Sequence, residues 1–165
     1  MRIKDSFIAL IKRFKSPANS FPYLLKAGFF PRALPVPQLL GQEGFGAAYN
    51  PHRSQALQRV ALAASLEQVE EEIAKENGGP PVLVATSARI TPDTTGYREM
   101  RKIMKERGGA YLLLFGTGWG MTDEVMQKAS YTLRPVYGRG GYNHLSVRSA
   151  ASIVLDRLLG EKFSP

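Results

Sequence analysis

Five consecutive apolar residues, Tyr111-Leu-Leu-Leu-Phe115, stop abruptly at glycines in alternate positions, Gly116, Gly118 and Gly120. A short unbroken apolar run bounded by glycines reads as a strand buried on both faces, the kind found in parallel sheets. Glycine tolerates positive φ and carries no Cβ, so a ligand can lie directly against backbone N–H groups. Downstream, Thr122 is placed to cap a short helix through Met126 and Lys128, with Asp123 and Glu124 in its first turn. Strand, glycine turn and helix together make the crevice in which α/β proteins bind ligands. The plainer reading is a tight turn without a ligand, although one glycine would suffice for that.

The rest of the chain supplies the sheet this strand needs. Ser65 and Gln68 form a capping-box pattern that opens a helix over Leu66 to Glu76, and Asn77-Gly-Gly-Pro-Pro81 stops it. Arg59 to Ala64 and Val82 to Thr86 read as strands, and Ser130 to Leu133 as a short β-prone segment. Tyr97 to Arg107 reads as a basic helix, with Arg98, Arg101, Lys102, Lys105 and Arg107. Leu145 to Leu159 is the last helix. Its apolar positions exceed one narrow stripe, so it is expected to face both a core and a partner copy. Alternating strands and helices imply an α/β fold, a mostly parallel sheet with helices on both faces.

The opening of the chain reads differently. Ile3, Phe7, Ile8, Leu10, Ile11 and Phe14 fit one face of a helix over Met1 to Lys15. Residues 17–46 are punctuated by five prolines and four glycines, which suggests an irregular arm with at most a short helix near Tyr23–Ala27. Asn50-Pro51 then looks like the start of a short helix reaching about Gln58. Residues 1–43 are accordingly expected to form a Pro-rich basic arm and 44–165 the main domain.

Composition narrows the chemistry. The 165 residues contain no cysteine, which excludes disulfides, thiolate metal sites and cysteine nucleophiles. Only two histidines, His52 and His144, are present, so no metal site is expected. No apolar run approaches a membrane span. The net charge of +8 favours polyanions such as RNA, DNA or acidic lipid headgroups. Residues 1–50 contribute seven Lys/Arg against two acids.

Familiar glycine-loop sites fit poorly. A P-loop needs Lys after the glycines, and Met121 stands there. A dinucleotide site needs an acid about twenty residues on, and positions 134–144 hold none. A Rossmann-type methyltransferase places its glycine motif after the first strand, leaving too little chain here for the strands that follow. The segments Phe115-Gly-Thr-Gly-Trp-Gly120 and Tyr142-Asn-His-Leu-Ser-Val-Arg-Ser-Ala-Ala151 instead closely resemble the SPOUT superfamily of RNA methyltransferases. Gly44-Phe-Gly-Ala-Ala-Tyr-Asn-Pro51 and Val84-Ala-Thr-Ser-Ala-Arg89 resemble the same small bacterial branch, which is similar to a domain found joined to tRNA (guanine-N1)-methyltransferase. The likeness spans about residues 44–160.

That resemblance implies a C-terminal trefoil knot, a homodimer, a cytoplasmic location, tRNA or rRNA as partner, and S-adenosylmethionine as methyl donor. The donor would lie among three loops at strand ends. The first comprises Thr86, Ser87 and Ala88. The second comprises Phe115, Gly116, Thr117, Gly118, Trp119 and Gly120. The third runs from Leu133 through Tyr142, Asn143 and Leu145 to Ser146. Trp119 would wall the pocket or stand as a partly exposed loop residue. Asn143 and Ser146 would touch the ligand or cap the last helix. Arg89, Asn143 and Arg148 are the candidates at the methyl acceptor, with His144 an outside candidate for base. Arg148 could equally face solvent or pair across a dimer. The basic helix would track RNA phosphates or form a solvated face. A non-catalytic RNA-binding module, or a degenerate member of the superfamily, is the alternative function.

Overall fold

A computed structural model describes residues 7–14, 25–28, 60–63, 65–89, 92–116, 120–140 and 143–160. Its strands are β1 (Phe7–Phe14), β2 (Leu25–Gly28), β3 (Val60–Ala63), β4 (Val82–Thr86), β5 (Gly109–Gly116) and β6 (Tyr131–Leu133). Its helices are α1 (Leu66–Asn77), α2 (Tyr97–Arg107), α3 (Asp123–Lys128) and α4 (Val147–Leu159). Among the described residues the strands join one sheet in the order β3-β2-β1-β5-β4-β6. β4 pairs in parallel with both β5 and β6, and β2 pairs in parallel with β3. β1 runs antiparallel to both of its neighbours.

β1 corrects two expectations. The segment read as the opening helix is a strand over Phe7–Phe14, so the sheet is mixed at that point. All eight of its residues find partners on β5, from Phe7 opposite Gly116 to Phe14 opposite Gly109. The sequence FIALIKRF is rich in β-branched and aromatic residues, which suit a pleated surface. Pairing with a long central strand outweighs the local helical periodicity, because periodicity reports only which positions are apolar. The short helix expected near Tyr23–Ala27 is likewise a strand, with Leu25, Lys26 and Ala27 paired to β1. The helix expected over 51–58 lies outside the described residues.

β5 is buried along its length because helices cover both of its faces. Ala110, Leu112 and Leu114 point to one side, where they pack with Leu66, Val69 and Ile73 of α1. Met121, Val125 and Ala129 along and beside α3 close that layer. Tyr111, Leu113 and Phe115 point the other way, onto Met100 and Met104 of α2 and Val154 and Leu158 of α4. Alternation along a strand thus serves two cores at once. Each fully buried leucine contributes about 1.5–3 kcal/mol relative to exposure, which makes this strand the fold's mechanical centre.

The helix signals work as physics predicts. Ser65 Oγ accepts from Gln68 N–H at 3.2 Å, and the Gln68 amide donates to Glu72 at 2.9 Å. Asn77 Nδ2 and Gly78 N–H return to the carbonyls of Ile73 and Ala74, closing the C-terminus of α1. Thr122 Oγ1 accepts from Val125 N–H at the start of α3. The last helix begins two residues later than expected, with Ser146 as its cap.

Candidate active site

Because β5, β4 and β6 are adjacent and parallel, their carboxyl ends lie on one edge of the sheet. The three loops singled out in the sequence all leave from that edge. Thr86 Oγ1 donates to Leu114 O at 2.8 Å, tying the end of β4 to β5. Ser87 Oγ accepts from Arg89 N–H at 3.0 Å and shapes the turn that follows. Asn143 Nδ2 donates to Ala88 O at 2.7 Å, which fastens the entry to α4 onto the β4 loop. Phe115 and Leu133 are buried beneath this edge.

The glycine loop closes tightly on itself. A Cβ on Gly116 would stand 2.7 Å from Gly120 C and 2.9 Å from Met121 N, both backbone atoms. Gly120 holds φ +82, a conformation L side chains rarely adopt. Two of the three glycines therefore serve different needs, close approach at 116 and positive φ at 120. Thr117, Gly118 and Trp119 lie outside the described residues, as does Tyr142. Met121, which takes the place of a P-loop lysine, packs into the α1 layer.

The polar candidates are mostly builders of the loops. Thr86, Ser87 and Asn143 make the bonds just described. Ser146 Oγ accepts from Ser149 N–H at 3.2 Å, so it caps α4 as the second reading of that residue held. Arg89 is exposed after the β4 turn, and Arg148 is exposed on the first turn of α4. Their guanidinium groups therefore reach solvent at the same edge. His144 and Leu145 are exposed between them in the chain, Leu145 at 43%.

The helix read as a phosphate track divides its charges. Arg101 donates from Nε to Leu158 O at 3.1 Å and from its terminal nitrogen to Gly160 O. It caps the end of α4, where free carbonyls and the helix dipole favour a cation. Arg107 donates to Tyr131 Oη at 3.0 Å. Arg157 of α4 sits 5.1 Å from the centre of the Tyr97 ring, a cation–π contact that joins α2 to α4 again. Burial pushes the Tyr97 phenol above its ordinary value, and Arg157 opposes that shift. Arg98, Lys102 and Lys105 are left on the exposed face, with Lys102 3.9 Å from Glu106. Sequence reasoning missed the role of Arg101, because its partners, the carbonyls of Leu158 and Gly160, lie far away in the chain.

The edge thus carries a closed glycine turn with no room for a side chain at 116, an exposed apolar Leu145, and no carboxylate among the described residues of the three loops. No group of three or more His, Cys, Asp or Glu able to hold a metal occurs among the described residues. Nor is any described helix long and apolar enough to cross a membrane.

A mainly parallel α/β sheet with a glycine turn and braced loops at its carboxyl edge is the arrangement at which open α/β proteins bind ligands. The sequence is matched over residues 38–160 by the family described as SAM-dependent RNA methyltransferase, and the chain belongs to that family. The family's cofactor is S-adenosylmethionine. The chain is 45% identical over 119 residues to an uncharacterized protein of Aquifex aeolicus, covering 72% of this chain and 57% of that protein. It is 40% identical over 119 residues to a tRNA (guanine-N(1)-)-methyltransferase of Oleidesulfovibrio alaskensis, covering 72% of this chain and 27% of that one. A protein of the same name from Nitratidesulfovibrio vulgaris is 42% identical over 118 residues, with the same coverage. The chain thus spans a little over half of the first relative and about a quarter of the other two.

Proposed function

We propose that this chain transfers the methyl group of S-adenosylmethionine to a nucleotide of tRNA or rRNA, within a trefoil-knotted SPOUT fold. The observation that carries the reading is the convergence of three braced loops at the carboxyl edge of β4, β5 and β6, one of them the closed glycine turn. S-adenosylmethionine brings an already activated methyl group, so the protein's task is positioning and electrostatics. Backbone groups of 86–88 and 116–120 hold the nucleoside, exposed Leu145 presents apolar surface to it, and buried Leu133 supports the slot from beneath. Thr86 and Asn143 fix the loops against one another. Arg89 and Arg148, both solvent-reaching, hold a phosphate or polarise the acceptor atom. Asn143 also stands at the acceptor, oriented by its bond to Ala88 O, which leaves its second N–H and its Oδ1 for other partners.

Residues 44–165 carry this machinery, and the functional unit is a homodimer formed largely through the last helix. Its workplace is the cytoplasm, where its RNA is found. Calorimetry with S-adenosylmethionine, S-adenosylhomocysteine, NAD and ATP tests the donor site, with binding expected for the first two alone. Transfer of labelled methyl groups to bulk tRNA and rRNA tests the reaction. Arg89→Ala and Arg148→Ala are expected to lower transfer more than RNA affinity. Binding of NAD in place of S-adenosylmethionine would reject the reading. RNA binding without donor binding would favour a non-catalytic module.

A further inference from the structure

We propose that Tyr137 is a stacking platform for one unpaired RNA base, with Arg134 and Arg139 engaging the phosphates on either side of it. The inference rests on the RNA methyltransferase reading above and deepens it by naming where RNA lies. A lone exposed aromatic is ordinary on a protein surface. Three observations set Tyr137 apart.

First, Tyr137 is exposed at the end of an anchored segment. Tyr137 is 49% exposed, yet Leu133 is 1% exposed, Pro135 is buried and Val136 packs against the α2–α4 layer. Backbone bonds brace the same segment from the side: Thr95 N–H donates to Thr132 O at 2.7 Å, and Arg134 N–H donates to Thr95 O at 2.9 Å. The side chain is thus presented on a fixed support. Little conformational entropy is lost when a planar partner stacks on it.

Second, the local charge suits a polyanion. Arg134 and Arg139 are both exposed, and no acid occurs from 134 to 144. The bracing loop adds one exposed acid, Asp93, which leaves a positive excess. An aromatic face between arginines is the combination that single-stranded nucleic acid recognises, because every base has a π-face and every linkage a phosphate.

Third, the segment issues from β6 at the carboxyl edge and forms the first half of the third loop, ahead of the residues 143–146 proposed to face the donor. A base held there lies next to the methyl donor. Unstacked nucleotides are also the form in which RNA bases become accessible to enzymes.

Filter binding of unfractionated tRNA to the full chain, with calorimetry against S-adenosylhomocysteine, provides the test. Loss of one base–aromatic stack corresponds to a fall in tRNA affinity of about 5- to 150-fold for Tyr137→Ala. Tyr137→Phe is expected to stay within about twofold of the wild-type chain, because the ring face is kept. S-adenosylhomocysteine affinity is expected to be unchanged in both. Arg134→Gln with Arg139→Gln is expected to flatten the log–log salt slope by about 1–2 units. Ultraviolet cross-linking of the unaltered chain to tRNA should place an adduct on the peptide containing Tyr137. Wild-type tRNA affinity in Tyr137→Ala, with tRNA binding intact in the parent chain, would overturn the proposal alone. Parallel loss of S-adenosylhomocysteine affinity would also overturn it, by assigning the ring to the donor pocket. A parent chain that binds no tRNA would overturn the RNA reading and this inference together.

Discussion

Gly116→Ala adds one methyl group to the tightest point of the glycine loop. The new Cβ would meet Gly120 C at 2.7 Å, Met121 N at 2.9 Å and Gly120 Cα at 3.0 Å. These are backbone atoms, so no rotamer change relieves the clash, and the 116–121 turn must open by several tenths of an ångström. Overpacking of this kind costs about 1–3 kcal/mol. An opened turn also misaligns the N–H groups assigned to the donor. Loss of one or two such hydrogen bonds at about 1 kcal/mol each lowers affinity by roughly 5- to 30-fold. Gly120→Ala separates the two causes. Nothing stands within 4 Å of a Cβ there, so only the strain of φ +82 is added. That strain is about 1–2 kcal/mol. Calorimetric titration with S-adenosylhomocysteine and urea unfolding, run on both variants, read the two effects apart. Wild-type affinity and wild-type stability in Gly116→Ala would refute the claim that this closed turn is the donor's cradle.

Other outcomes follow from the braces around the site. Arg101→Ala should destabilise the chain by about 1.5–3 kcal/mol, as a cationic donor to the end of α4 is lost; urea unfolding reads this, and Arg101→Lys should recover part of it. Arg98→Glu with Lys105→Glu should weaken tRNA binding and flatten its salt dependence by about 1–2 log–log units, while unfolding stays at wild type; unchanged binding would assign that face to solvent. The Lys128 ammonium hydrogen-bonded to Glu67 holds that carboxyl below its ordinary value, so the pair's stabilisation is complete above the unfolded value and fades as pH falls through the lower folded one. Glu67→Gln should therefore flatten the acid limb of a stability–pH profile below about pH 4.5. Burial raises the neighbouring Glu70 carboxyl, so Glu70→Gln should remove a contribution of opposite sign.

The middle and end of the fold could be read from the chain because local signals there agree with tertiary demand. Tyr111 to Phe115 is apolar without interruption since helices cover both faces, and Ser65 and Thr122 cap helices where they were expected to. The opening strand was illegible for a physical reason. Phe7, Ile8, Ile11 and Phe14 satisfy a helical face, while their partner lies about a hundred residues away on β5. Long-range pairing leaves no local mark. Within the site, the structure brings Thr86, Ala88 and Asn143 together through bonds of the protein's own, which sequence could not tell from ligand contacts. Arg101 was hidden for the same reason: a basic residue on an amphipathic helix looks solvated until the carbonyls of Leu158 and Gly160 are seen against it.

Hydrogen exchange of the full chain, measured with and without S-adenosylmethionine, addresses the donor site most directly. The account predicts slowed exchange confined to the loops at the carboxyl edge, residues 87–89, 116–121 and 143–146, with α1 unchanged on the far layer. Backbone amides that bind the donor, or are covered by it, lose their access to solvent. Protection centred on α1 or on residues 7–28, with the three loops exchanging as before, would contradict it.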